Sequence, residues 1–95
     1  MAAATITNGS FGFKAVTGTD ATTAISGDAI IKTIIVTSGG DAGNAIVSDG
    51  SGVAIGKFAA AANSASVYSF PSGIRLAGVK VTLSDANTYC VINVE

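Results

Sequence analysis

The chain lacks several residue types on which catalysis and metal binding commonly depend. It has no histidine and no tryptophan, and only one cysteine, one methionine and one proline in 95 residues. The absence of histidine excludes Ser–His and Cys–His nucleophiles and most transition-metal sites. A single cysteine, Cys90, cannot form an internal disulfide. Because Cys90 alternates with Ile92 and Val94, we expect its thiol to be a small buried group and not a reactive one.

Charged residues are also scarce. They make up 12% of the chain, about half of the ~25% that is usual in globular proteins. The net charge of −1 provides no basic field for nucleic acid or anionic lipid, and the longest apolar run is too short for a membrane helix. We therefore predict neither a nucleic-acid nor a membrane partner. A surface with so few charges is weakly protected against association, which favours a subunit of a larger assembly.

The first ten residues, MAAATITNGS, contain no charged side chain and close on the turn signal Asn8-Gly9-Ser10. They lack the basic and continuous apolar segments of a secretory signal, so we expect synthesis in a cytoplasm. We predict that residues 1–10 form a flexible or partner-ordered arm and that residues 11–95 form one domain.

An extended Ala/Thr segment can add a strand to the edge of a neighbouring sheet through main-chain hydrogen bonds. The candidate partner-binding residues of the arm are therefore Thr5, Ile6 and Thr7, of which Ile6 alone is large enough to fill a pocket. The alternative interpretation is that this segment is the first strand of the domain itself.

The densest apolar run is Ala29–Thr37, AIIKTIIVT. Most of its residues are β-branched, and such side chains favour a strand over a helix. With a period of two, Ile34 and Val36 lie on one face, and Ile31 and Ile35 lie on the other. Because both faces are largely apolar, we predict a central strand against which the others pair.

Turn signals divide the remaining chain into short strands. Asp49-Gly50-Ser51-Gly52 predicts a hairpin between strands 44–48 and 53–58, and Pro71-Ser72-Gly73 predicts a turn after strand 65–70. The sequence predicts an all-β fold, a single antiparallel β-sandwich of jelly-roll or immunoglobulin-like type with seven to nine short strands. The expected core includes Ile34, Val36, Val47, Val81, Leu83, Ile92 and Val94.

Two groups of polar residues invite a chemical interpretation. In the glycine-rich loop 39–44, GGDAGN, Asp41 and Asn44 could bind a hard cation together with Asp49, although only one copy of the motif exists and a plain turn is the simpler interpretation. The four lysines leave a Ser–Lys arrangement open, but solvated charges on strand faces account for them. We predict a protein that is not an enzyme and has no cofactor or metal.

The aromatic residues allow a further alternative. A stacking platform for single-stranded nucleic acid or sugar would use aromatics on one sheet face, whereas the scarcity of basic residues favours core packing. A carbohydrate-binding module would need exposed aromatics on a sheet face, and exposure of Tyr68 or Tyr89 would favour it. The six aromatics are Phe11, Phe13, Phe58, Tyr68, Phe70 and Tyr89.

From Ile30 to Glu95 the order of motifs is similar to that of small β-rich proteins recurrent in tailed-phage genomes. A central strand is followed by a D-G-S-G hairpin, a P-x-G-I/L turn, a G-V/L-x-V strand and a short terminal strand. In this chain the motifs are Asp49-Gly50-Ser51-Gly52, Pro71-Ser72-Gly73-Ile74 and Gly78-Val79-Lys80-Val81.

The resemblance implies a virion structural protein, a capsid decoration (cement) subunit with a sandwich or jelly-roll fold. The expected partner is the major capsid protein on the outside of a phage head, and the expected self-association is a homo-oligomer, with a trimer as the first choice. The protein would then be made in the host bacterial cytoplasm and end on the capsid surface. Another virion component, such as a head-fibre base, a tail protein or an adaptor, is the alternative. The family offers no catalytic residues to transfer.

Overall fold

The computed structural model describes residues 5–8, 13–17, 22–85 and 87–94, and within these ranges it contains strands and no helix. Every strand pair is antiparallel. The all-β antiparallel prediction is therefore confirmed. The strands are β1 (Thr5–Asn8), β2 (Phe13–Thr17), β3 (Thr22–Thr37), β4 (Gly43–Asp49), β5 (Ala54–Ala60), β6 (Ala65–Leu83) and β7 (Tyr89–Val94).

These strands form one sheet in the order β1-β2-β7-β3-β6-β4-β5, curled into a half-barrel. The apolar run predicted to be central is the second half of β3, which lies between β7 and β6. That prediction is confirmed. A sandwich requires two separate sheets, and the single curled sheet of the described residues does not confirm it.

Two strands are long where the sequence predicts short strands separated by turns. β3 has 16 residues and β6 has 19. β6 continues through Pro71, and the segment Phe70–Gly73 lies opposite Lys32 alone, between the register pairs Ile31↔Ile74 and Thr33↔Ser69. Gly73 there has φ +75°, a conformation that glycine adopts without strain. The expected turn is thus a bulged bend inside one strand.

The same bulge changes which residues of β3 face inward. Ile31 is 0% exposed, and so are Ile34 and Val36. Strict alternation would place Ile31 on the face opposite to Ile34, and that assignment is wrong. The register shift between Ile31 and Thr33 moves the alternation by one residue, so the apolar residues on both sides of it face one core.

The core lies on the concave side of the curl and collects residues from most of the strands. Six of the seven predicted core residues are buried, and Val94 packs against the core while partly buried. Cys90 is buried too, as the sequence predicts. The buried hydrophobic residues are Val16, Ala29, Ile31, Ile34, Val36, Ala45, Val47, Ala60, Val79, Val81, Leu83, Cys90 and Ile92.

The hairpin between β4 and β5 forms where the sequence predicts it. One carboxylate oxygen of Asp49, Oδ1, accepts hydrogen bonds from the amides of Ser51 and Val53 at 2.9 and 3.0 Å. Gly52 has φ +89°. An aspartate that bonds to the backbone two residues ahead is a common turn device, and this one fixes the register of the hairpin.

Among the described residues no helix could cross a membrane.

We expect Leu83→Ala to lower the free energy of unfolding by about 2–5 kcal/mol, because Leu83 is 2% exposed and its loss leaves a cavity. The control is Val53→Ala, since Val53 is 64% exposed and should change stability by about 0.5 kcal/mol or less. Urea unfolding followed by circular dichroism measures both. Equal losses in the two variants would contradict the assigned core.

Candidate docking surface

On the convex side of the sheet, the outward side chains of β7, β3 and the first part of β6 lie side by side in register and form one continuous surface. Ile35 pairs with Val91 on one side and Val67 on the other, and the same strands pair at the rows above and below. Ile34 and Val36, the chain neighbours of Ile35, are buried. Ile35 and the residues that alternate with the buried ones along these strands therefore point outward. We call the surface the uncharged face. It comprises Thr33, Ile35, Thr37, Ala65, Val67, Ser69, Tyr89, Val91 and Asn93.

None of these nine side chains carries a charge. Val67 is 61% exposed and Tyr89 is 40% exposed, although both are large and apolar in part. Ile35 and Val91 are half-buried between them. Covering such a surface removes apolar area from water and strips water from no charged group. The uncharged face is therefore suited to contact with another protein.

The size of the uncharged face limits what it can do alone. Three strands and five residues along each cover roughly 15 by 17 Å, or about 250 Å² of flat footprint. A stable protein pair buries about 800 Å² on each partner. The face therefore suits one contact among several in an assembly better than an isolated two-protein complex.

Most of the described aromatic side chains pack on one another and form no exposed platform. The ring of Phe58 makes edge contacts with those of Tyr68 and Phe70, at centroid distances of 5.0 and 6.0 Å. All three are partly buried against the core. Among the aromatic side chains that the structure describes, Tyr89 alone is exposed.

The Tyr68 hydroxyl also closes part of a sheet edge. It donates a hydrogen bond to the carbonyl of Ala59 at 2.5 Å and accepts one from the Ala59 amide at 3.2 Å. Ala59 lies in β5, the strand at one end of the sheet order. The two backbone groups of Ala59 are thus already paired.

The candidate partner-binding residues Thr5, Ile6 and Thr7 lie in β1, at the other end of the sheet order. They pair with Thr17, Val16 and Ala15 of β2. This is the arrangement of the alternative interpretation, in which the segment is the first strand of the domain. Binding of a partner by these residues stays a prediction, and residues 1–4 and 9–10 of the expected arm lie outside the described residues.

The structure does not bring the oxygen donors of the glycine-rich loop together. Asp41 precedes β4 and Asp49 ends it, so six residues of strand, roughly 20 Å, separate them. The Asp49 carboxylate already binds two turn amides. Within the part of the chain that the structure describes, no group of three or more acidic or cysteine side chains could hold a metal ion.

Lys32 and Arg75 make their polar contacts at the surface. Lys32 Nζ donates to the Pro71 carbonyl at 3.2 Å across the bulge. The Arg75 guanidinium lies 4.0 Å from the Asp28 carboxylate, with both side chains more than 70% exposed. A shallow groove of about 260 Å³ beside this pair is lined by Asp28, Ala29, Ile30 and Arg75. Exposed ion pairs contribute little free energy, and nothing in this groove indicates a ligand.

Burial raises the pKa of the Cys90 thiol from its ordinary value of 9.0 to about 12. The cause is desolvation, because the thiolate would lose its water among apolar neighbours. A thiol attacks disulfides and electrophiles only as the thiolate. Cys90 therefore acts as a small core residue at neutral pH.

Comparison with protein-family models, with curated proteins and with solved structures finds no match to this chain in any of the three. The surface of the protein is therefore the main indication of its function. The residues of the uncharged face that sequence reasoning did not single out, such as Val67 and Val91, alternate with core residues, and only the strand pairing shows that they meet.

We expect the stability of the protein to fall with pH between about 9 and 12 because of Cys90. In this window the unfolded thiol loses its proton while the folded thiol keeps it, so rising pH favours unfolding by up to about 1.4 kcal/mol per pH unit. Urea unfolding at several pH values measures the slope, with Cys90→Ala as the control because it lacks the group. Identical slopes in the two proteins would contradict the raised pKa.

Proposed function

We propose that this protein is a non-enzymatic virion structural subunit, a capsid decoration (cement) protein that binds the major capsid protein on the outside of a phage head and stabilises it. The observation that carries the proposal is the uncharged face. Its nine side chains include no charge, and its most exposed members, Val67 and Tyr89, are large.

The small size of the face supports an assembly role. One contact of about 250 Å² is too weak by itself to hold two proteins together. On a capsid, however, a subunit meets a repeating array, and neighbouring copies can contact both the array and one another. When several weak contacts are linked in this way, the overall affinity becomes much higher than that of any single contact. Self-association is part of this proposal, and the expected trimer is one stoichiometry that sedimentation distinguishes.

The expected sandwich also belongs to this proposal. Phe58 on β5 meets Tyr68 and Phe70 on β6 inside the curl. Side chains that interdigitate between facing parts of a sheet are typical of two packed layers. We infer that the curled sheet works as two layers around one core, with the uncharged face on the outside of one layer.

We expect Val67→Lys to weaken capsid binding at least about tenfold, because docking would bury an unpaired charge. Purified phage particles are first analysed by mass spectrometry for this chain and its copy number relative to the major capsid protein. Particles lacking it are then mixed with purified variants, and bound protein is quantified after sedimentation.

The matched control is Val53→Lys. Val53 is 64% exposed, close to the 61% of Val67, but it lies in the β4–β5 turn and not on the uncharged face. Val53→Lys should bind as the unaltered protein does. Undiminished binding by Val67→Lys would contradict the docking face, and absence of the chain from purified virions would contradict the decoration role.

The exposure of Tyr89 favours one other candidate, a carbohydrate-binding module, because sugar rings stack on exposed aromatics. Isothermal titration calorimetry of the protein with soluble oligosaccharides tests it. We expect no saturable change in the unaltered protein. A saturable change that Tyr89→Ala abolishes would instead assign the face to sugar binding.

A further inference from the structure

We propose that the outer edge of β1 pairs antiparallel with β1 of a second copy of this chain, across a two-fold axis. The two curled sheets would then become one continuous sheet. This inference rests on the self-association in the proposed function, and it specifies a dimer in place of the expected trimer. Its test measures association of the purified protein and not binding to capsids, so the two can fail separately.

The sheet has two ends at which pairing could continue. The strand order places β1 at one end and β5 at the other. An edge strand offers a row of backbone amides and carbonyls to any extended segment of suitable register. Proteins commonly block such edges with lysine, proline, bulges or a covering group.

The β5 edge is capped at Ala59. Asn44 of β4, which pairs with Ala59, directs its amide and carbonyl toward Ser84, at 2.9 Å each. Asn44 and Ala59 therefore form a non-hydrogen-bonded pair. In such a pair the backbone amide and carbonyl of each residue point away from the other strand. The amide and carbonyl of Ala59 therefore point to the free edge, where the Tyr68 hydroxyl binds both. Lys57, exposed on the same strand, adds a charge beside this cap.

The β1 edge has none of this protection in its sequence. Its residues Thr5-Ile6-Thr7-Asn8 include no lysine, no proline and no charge. β2 occupies one side of the strand through four register pairs. Two copies of β1 could therefore approach without the repulsion that like charges cause when they lie opposite each other.

Symmetry then selects the partner strand. Pairing of β1 with β5 of another copy is heterologous, and it leads to closed rings, such as an edge-to-edge trimer, or to open fibres. The Tyr68 cap on Ala59 opposes that pairing. Pairing of β1 with β1 uses the same surface on both copies and closes as a dimer. A strand of four residues gives a short contact, so we expect a dimer that forms reversibly with concentration.

The first test is analytical ultracentrifugation of the unaltered protein, of Thr7→Lys and of Ala54→Lys over a range of concentrations. Thr7 pairs with Ala15, one position away from the pair between Ile6 and buried Val16. Thr7→Lys places like charges at the proposed dimer contact and should weaken dimerisation about tenfold or more. Ala54→Lys adds the same charge to β5 and should dimerise as the unaltered protein does.

Several outcomes would overturn the proposal. The unaltered protein could stay monomeric at high micromolar concentration, or it could form a trimer. Alternatively, Thr7→Lys and Ala54→Lys could weaken dimerisation equally. Amide hydrogen exchange gives a second measurement that does not depend on a variant folding. The β1 amides of the unaltered protein should exchange more slowly at high than at low protein concentration, and unchanged exchange counts against β1 pairing.

The Tyr68 cap is tested by Tyr68→Phe. This variant keeps the ring that packs on Phe58 and removes the hydroxyl that binds Ala59. With the β5 edge open, we expect species larger than a dimer at high concentration and faster exchange of the Ala59 amide. A Tyr68→Phe protein that remains dimeric, with Ala59 exchange unchanged, would contradict the role of the cap.

Discussion

The long antiparallel pairing of β3 with β6 is the interaction on which the rest of the structure depends. It runs through twelve register pairs, from Thr22↔Val81 to Thr37↔Ala65. β7 is added to the free edge of β3, and β4 is added to the free edge of β6. The outer strands pair with these in turn. Both halves of the sheet therefore begin at one pair of strands, and any change in its register would move every other strand.

The bulges in this pair decide where each half of the sheet faces. At Lys32 the alternation shifts by one residue, and without that shift Ile31 would face the convex side, because a one-residue slip exchanges the two faces of a strand. The bend lets the inward residues of both halves share a single core while their outward residues point in different directions. One outward surface is the uncharged face. The other carries Lys57 and Lys80, which lie opposite Ile46 and Ser48 of β4.

Local signals made part of this fold predictable. The β4–β5 hairpin depends on Asp49 and glycine within four residues, and the alternation of Cys90 and Ile92 is visible in the sequence. The continuity of β6 through Pro71 was not predictable, because long-range pairing with β3 overrides the local tendency of Pro-Ser-Gly to turn. The uncharged face was hidden for the same reason. Ile35, Val67 and Val91 lie far apart in sequence, and only the register places them side by side.

One short segment of β6 contributes both to the candidate docking surface and to the cap on the β5 edge. Proteins usually keep sheet edges apart with lysine, but this chain has only five basic residues. In the first part of β6 an uncharged group, the Tyr68 hydroxyl, occupies the edge backbone of Ala59 instead. Val67 points outward into the uncharged face, whereas its neighbour Tyr68 points inward and binds the backbone of Ala59. Because successive residues of a strand face opposite sides, the segment that contributes Val67 to the candidate docking surface also caps Ala59 at the β5 edge. In the proposed assembly, a protein with few charged residues would dock through the uncharged face while the Tyr68 hydroxyl keeps Ala59 of the β5 edge from pairing with another strand.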